Sequence, residues 1–140
     1  MVHATGAELV LVDSDVLIWH LRGLPHATQR LDRLPHLIIS AITWLELLQG
    51  MRSRAELQAV QKSLAMRNTE QLLVTPEITL RAVALMERLS LSHSLGMGDA
   101  LIAATALEHG LPLLTANFKH FGPVDGLKVE RFEPMQDSVL

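Results

Sequence analysis

Short, unbroken apolar runs alternate along this chain with longer stretches whose apolar residues recur every three or four positions. Glu8-Leu-Val-Leu-Val12 is a run of the first kind, ending at Asp13, and predicts a strand buried on both faces. Val16 to Arg22 predicts a helix that stops near Gly23 and Pro25. Leu37-Ile-Ile39 predicts a second strand, and Ser40 is placed to cap a helix from Ala41 to about Met51. Ser53 is placed to cap another, running to about Met66, and Gln71 to Val74 predicts a third strand. Thr75-Pro76-Glu77 combines a capping hydroxyl, a proline at the first helical position and an acid in the first turn. The helix it opens carries Ile78, Ala82, Leu85, Met86 and Leu89 on one face. Asp99 to His109 predicts a further helix closed by Gly110 and Pro112, Leu113-Leu114 a fourth strand, and Lys128 to Phe132 a fifth, weaker one. Strands alternating with helices predict parallel βαβ units: a three-layer α/β/α domain with helices on both faces of one mostly parallel sheet of four to five strands.

In such sheets ligands gather beyond the carboxyl ends of the strands, where the strand order reverses. Asp13 directly follows the first strand, with Asp15 two residues on. Glu46 lies on the helix after the second strand, Asp99 opens a helix behind the Gly96-Met-Gly98 bend, and Asn117 follows the strand ending in Leu114-Thr115. The topology draws four of these five positions toward one edge, although they span about a hundred residues. Each has a plainer reading as well: Asp13 and Asp15 as helix caps, Asp99 as a first-turn acid favoured by the helix dipole. Glu46 is harder to dismiss, because Ala41-Ile-Thr-Trp-Leu-Glu-Leu-Leu48 surrounds it with apolar residues and no base lies within four positions. A carboxylate in such a setting requires a remote partner or a metal. Three carboxylates within ~5 Å repel by roughly 3 kcal/mol per pair at an effective dielectric near 20, which calls for a cation. Oxygen donors favour a hard divalent ion, Mg²⁺ or Mn²⁺, and such ions serve phosphodiester hydrolysis.

Composition narrows the chemistry. The 140 residues fit one domain, 1–140, and the absence of cysteine removes disulfides, thiolate nucleophiles, iron–sulfur clusters and Cys-based zinc sites. This usage agrees with a cytoplasmic protein. Met1 to Ala7 lacks a basic leader, and the long uncharged run Leu34 to Leu45 is broken by Pro35 and His36, so neither a targeting signal nor a membrane span is expected. The net charge of -3 argues against nucleic-acid binding through the overall field. One segment departs from it: Arg52, Arg54, Lys62 and Arg67 are opposed only by Glu56, a local +3 that either contacts phosphates or is simply solvated. Few aromatic residues are present to stack bases, and Trp19 and Trp44 follow the apolar helical pattern of core or dimer contacts. The seven histidines form no zinc motif; His93 and His120 flank the acidic motifs without an assigned role.

Four segments together resemble a PIN-domain protein: Val10-Leu-Val-Asp13-Ser-Asp15-Val-Leu-Ile18; Ile39-Ser-Ala-Ile-Thr-Trp-Leu-Glu46-Leu-Leu-Gln-Gly50; Gly98-Asp99 through Gly110; and Leu113-Leu-Thr115-Ala-Asn117-Phe-Lys-His-Phe121. Size and coverage are similar to the toxin of a VapBC-type toxin–antitoxin pair. The resemblance implies a Mg²⁺- or Mn²⁺-dependent endoribonuclease, with metal-binding, catalytic carboxylates at Asp13, Glu46 and Asp99. It implies support from Asp15, Thr115 and Asn117, an RNA substrate, a homodimer, and a cognate antitoxin that covers the acidic pocket. Asn117 departs from the family pattern, which often has a fourth acid there, and so bears on occupancy of a second metal. Two other readings stay open. Asp13-Ser-Asp15 after a strand is similar to the nucleophile–acid pair of haloacid-dehalogenase-like phosphatases, although Leu17 and Glu46 do not fit that pattern. A catalytically silent PIN-like binding module is the other, kept by Asn117. If Asp13, Glu46 and Asp99 are the site, the remaining 12 acids balance the 12 bases, and the net charge is that of the site itself.

Overall fold

The computed structural model describes residues 8–134; the Met1 to Ala7 segment, read above for targeting signals, lies outside them. The chain runs β1 (Leu11–Val12), α1 (Ser14–Leu21), α2 (Pro25–Asp32), β2 (Ile38–Ser40), α3 (Ala41–Gln49), α4 (Arg54–Met66), β3 (Glu70–Leu72), α5 (Pro76–His93), α6 (Met97–His109), β4 (Leu113–Thr115), α7 (Phe118–Phe121) and β5 (Val129–Arg131). Three of the expected helix caps form: Ser40 Oγ accepts from Ile42 N, Ser53 Oγ from Glu56 N, and Thr75 Oγ1 from Ile78 N. Gly110 closes α6 in the left-handed region at φ 64°, a conformation that glycine adopts without a Cβ penalty.

All strand pairs are parallel, as the βαβ pattern requires. Their hydrogen-bonded ladders form two sheets rather than the single sheet expected: β1-β4-β5 and β2-β3. β2 lies beside β1 without a ladder between them, so the spatial order is β3-β2-β1-β4-β5. β1 is only two residues long, and the amides of Leu11 and Asp13 are directed to Pro112 and Leu114 on the β4 side. The chain moves outward from β1 to β3 and then crosses back to β4, making the β1/β4 junction the point of reversal.

Alternation along the strands divides the core. Leu11, Ile38 and Leu113 pack on one face with α5, α6 and α7, through residues such as Ile78, Leu85, Ala103 and Phe121. Val12, Ile39 and Leu114 pack on the other with α1 and α2, through Val16, Leu17, Ala27 and Leu31. The central strands β1, β2 and β4 are buried on both faces and give the three layers, while β3 and β5 are more exposed. Trp19 and Trp44 are partly buried against the second face, as core packing predicts.

Two helices were not legible in the pattern. Gly23 and Pro25 do stop α1, but Pro25 is also the first residue of α2, a position where its missing N–H costs nothing. The four-residue α7 is too short to show a periodicity.

Candidate active site

The carboxyl ends of β1 and β4 place Asp13 and Thr115 side by side. Asp13 N donates to Leu114 O at 2.9 Å, fixing the backbone, and Asp13 then caps α1. Its Oδ1 accepts from Ser14 N at 2.8 Å and its Oδ2 from Thr115 Oγ1 at 2.8 Å. Asp15, in the first turn of α1, accepts from Ala116 N at 3.1 Å and lies 3.4 Å from the same Thr115 hydroxyl. Thr115 Oγ1 also accepts from Asn117 N at 2.9 Å. This fully buried hydroxyl therefore ties both aspartates to the turn after β4.

Glu46 stands on α3 and is exposed, so the burial argument built on its apolar neighbours is corrected. Thr43 and Leu47 take the buried side of α3, and Glu46 is left on the lip of a groove. Its partner is Ser14, whose Oγ makes a short hydrogen bond to Glu46 Oε1 and lies 3.2 Å from Thr43 Oγ1. Gly98, at the start of α6, meets Glu46 from the other side: a Cβ there would sit 2.9 Å from Glu46 Oε2. Asp99 follows, and its Oδ2 lies 3.0 Å from His120 Nδ1, which is 2.9 Å from Asn117 Nδ2.

The acids feel one another. Burial pushes the Asp13 carboxyl up to about 7, with the charges of Asp15 and Asp99 adding to the rise and hydrogen bonds from Thr115 and Ser14 opposing it. Burial likewise raises Asp15, against the pull of the Ala116 and Val16 amides. Asp15 Oδ1 is buried and has no hydrogen-bond partner among the described residues. All six residues singled out in the sequence thus gather at one edge. Ser14, Thr43 and His120 join them. Ser14 was legible as the residue between two strand-end aspartates, and His120 by its i,i+3 spacing from Asn117 on a single turn. His93, by contrast, is exposed and bonded to Ser92.

Among the described residues, no three acidic or imidazole side chains meet closely enough to enclose an ion as they stand. Hydrogen bonds from Ser14 N and Thr115 Oγ1 hold Asp13, and one from Ser14 Oγ holds Glu46. The donor set nevertheless fits a hard divalent cation. It consists of carboxylate oxygens, with Asp13 lifted well above the ordinary carboxylate range by burial and then by the charges of Asp15 and Asp99, and with one buried oxygen that has no partner among the described residues.

A PIN-domain family model matches residues 10–126. The chain belongs to the PIN-domain family. It is 42% identical over 124 residues to ribonuclease VapC10 of Mycobacterium tuberculosis, covering 86% of this chain and 91% of that one. It is 35% identical over 117 residues to ribonuclease VapC19 of the same species, covering 79% and 90%. Among solved structures, a toxin–antitoxin complex from Klebsiella pneumoniae superposes with a TM-score of 0.73 at 30% identity, over 91% of this chain and 98% of that one. VapBC2 from Rickettsia felis, bound to a DNA fragment from its promoter, superposes at 0.78 and 21% identity, over 89% and 99%. PIN membership removes the haloacid-dehalogenase reading.

A groove of about 670 Å³ runs between α1, α3 and α4 to this edge, bordered by Ile18, Arg22, Glu46, Leu47, Met51 and Arg52. The basic segment contributes less than its sequence suggests, because Arg67 is held by Asp32 at 2.9 Å and Arg52 lies 3.7 Å from Glu56. Among the described residues no helix is long and apolar enough to cross a membrane.

Proposed function

We propose that this PIN-domain protein is a divalent-metal-dependent endoribonuclease and the toxin of a VapBC-type pair. The observation that carries the reading is the gathering of Asp13, Asp15, Glu46 and Asp99 at the β1/β4 edge, in a chain 42% identical to a VapC ribonuclease. Asp13, Glu46 and Asp99 are the carboxylates that would hold the ion. Mg²⁺ or Mn²⁺ bound there would supply Lewis-acid activation for phosphodiester hydrolysis. The chain's own part is orientation. Thr115 aligns Asp13 and Asp15 through one hydroxyl, Ser14 turns Glu46 toward α1, and the glycine at 98 leaves room for the Glu46 carboxylate beside Asp99. Asn117 donates its backbone N–H to Thr115 and so braces the same hydroxyl.

The antitoxin is the proposed partner protein, and the groove that ends at Glu46 is the surface proposed for it. The groove is partly apolar and partly charged and leads into the acidic edge, so a segment lying in it would also cover the carboxylates. RNA substrate, homodimer and cytoplasmic location complete the proposal. The test is metal add-back: protein stripped with EDTA is incubated with RNA, and cleavage is expected to return on adding Mn²⁺ or Mg²⁺. Cleavage undiminished in excess EDTA would contradict it, and absence of cleavage with either metal on total cellular RNA would favour the silent module.

A further inference from the structure

The chain has three phenylalanines, two tryptophans and no tyrosine. Phe121 and Phe132 are buried and both tryptophans are partly buried. Phe118, 41% exposed, is left as the one exposed Phe or Trp ring among the described residues. The ring is held in place from two directions. Gly122 brings the following turn of backbone against it, since a Cβ there would lie 3.1 Å from Phe118 Cε2 and 3.2 Å from Phe118 Cζ. The Arg131 guanidinium lies over it, with its carbon 4.6 Å from the ring centroid, inside the range of a cation–π contact.

Both residues belong to the acidic edge. Phe118 follows Asn117, whose N–H is bonded to Thr115 Oγ1, and Arg131 is the ladder partner of Thr115 on β5. Arg30, Arg67 and Arg81 are held by carboxylates at 2.9 to 3.1 Å. The Glu133 carboxylate, by contrast, is 4.0 Å from Arg131 Nε, and both of those side chains are more than half exposed. So long and wet an ion pair contributes little, and the guanidinium keeps its plane and its charge for another partner. A planar, weakly hydrated guanidinium stacks on an aromatic ring with one face and on a nucleobase with the other. A base in a duplex already has stacking neighbours; an unpaired base does not. We propose that Phe118 and Arg131 form a stacking platform at the rim of the acidic edge for an unpaired base of the RNA substrate. The proposal rests on the reading of RNA as the substrate.

The test is fluorescence anisotropy with the full-length Asp13→Asn protein, which is expected to leave RNA uncut. The probes are a labelled oligoadenylate and a ribose–phosphate oligomer of the same length that carries no bases. This parent is expected to bind oligoadenylate at least about fivefold more tightly than the base-free oligomer. Phe118→Leu removes the ring, and Arg131→Lys keeps the charge but removes the plane. Each is expected to reduce the preference below about twofold, with Arg131→Lys binding the base-free oligomer within about twofold of the parent. Phe118→Trp is expected to keep the preference. Should Phe118→Leu disturb the fold, Arg131→Lys decides, because its side chain is 61% exposed. Absence of a base preference in the parent, or a preference that survives Arg131→Lys, overturns the platform. Unchanged affinity for both oligomers in both variants also overturns it and assigns the pair to a protein partner instead. If the folded parent binds neither oligomer, the RNA reading fails and the platform with it.

Discussion

Thr115 has one proton for two carboxylates. Its hydroxyl sits 2.8 Å from Asp13 and 3.4 Å from Asp15 and accepts from the Asn117 amide, so it stabilises the ionised form of Asp13 against burial. Thr115→Val keeps the shape and removes the donor. It is expected to raise the Asp13 carboxyl further, which would move the acid limb of the cleavage pH profile upward, and to lower stability by about 1–3 kcal/mol. A profile that does not move would show that Thr115 does not act through Asp13. The Asp13 carboxyl itself sets a pH dependence. At about 7 in the fold against an ordinary 3.8, it holds a proton that the unfolded chain has lost across that window. This contribution is complete below the ordinary value and is lost as pH rises through about 7. Metal-free protein should therefore melt several degrees lower at about pH 8 than at about pH 5, and saturating Mn²⁺ should reduce the difference. Thermal melts with EDTA and with Mn²⁺ check this; equal slopes in both would contradict it.

Between α3 and α6, one missing Cβ leaves room for the end of the Glu46 side chain. Gly98 sits in helical backbone, where alanine is intrinsically favoured by about 1 kcal/mol, yet a methyl there would press on Glu46 Oε2. Because the obstructing atom ends a flexible, exposed side chain, Gly98→Ala is expected to leave the melting temperature unchanged or slightly higher while displacing the carboxylate and lowering cleavage about tenfold. A variant that loses stability and activity in parallel would contradict this division. The legibility of the sequence follows similar lines. The strands and the helices capped by Ser40, Ser53 and Thr75 were readable because local chemistry decides them, and Asp13 and Asp99 because they sit at strand and helix ends. α2 was hidden because its starting proline also marks the stop of α1. The split of the ladders was hidden because the β1/β2 contact depends on long-range geometry that no local pattern encodes. Glu46 was identified on a mistaken ground: its apolar neighbours do not bury it, and its partner Ser14 is 32 residues away.

For the whole molecule, the charge balance bears on how RNA is held. Several cations are engaged by acids, among them Arg30 with Glu130 at 2.9 Å, Arg67 with Asp32 at 2.9 Å and Arg81 with Glu108 at 3.1 Å. Arg22 and Arg52 border the groove beside Glu46. With so few cations near the site, single-stranded RNA binding by the inactive Asp13→Asn variant is expected to show a shallow salt dependence, with a log–log slope of about -2. A slope several times steeper would point to a broad basic face that the fold does not display. The claim on which the rest depends is that Asp13, Glu46 and Asp99 act together through a divalent metal to cut RNA. Cleavage of end-labelled RNA by wild type and Asp13→Asn, side by side in saturating Mn²⁺ with both proteins shown to be folded, tests it most directly. The account predicts that the variant loses at least about a thousandfold in rate; cleavage by Asp13→Asn within a few-fold of wild type would contradict it.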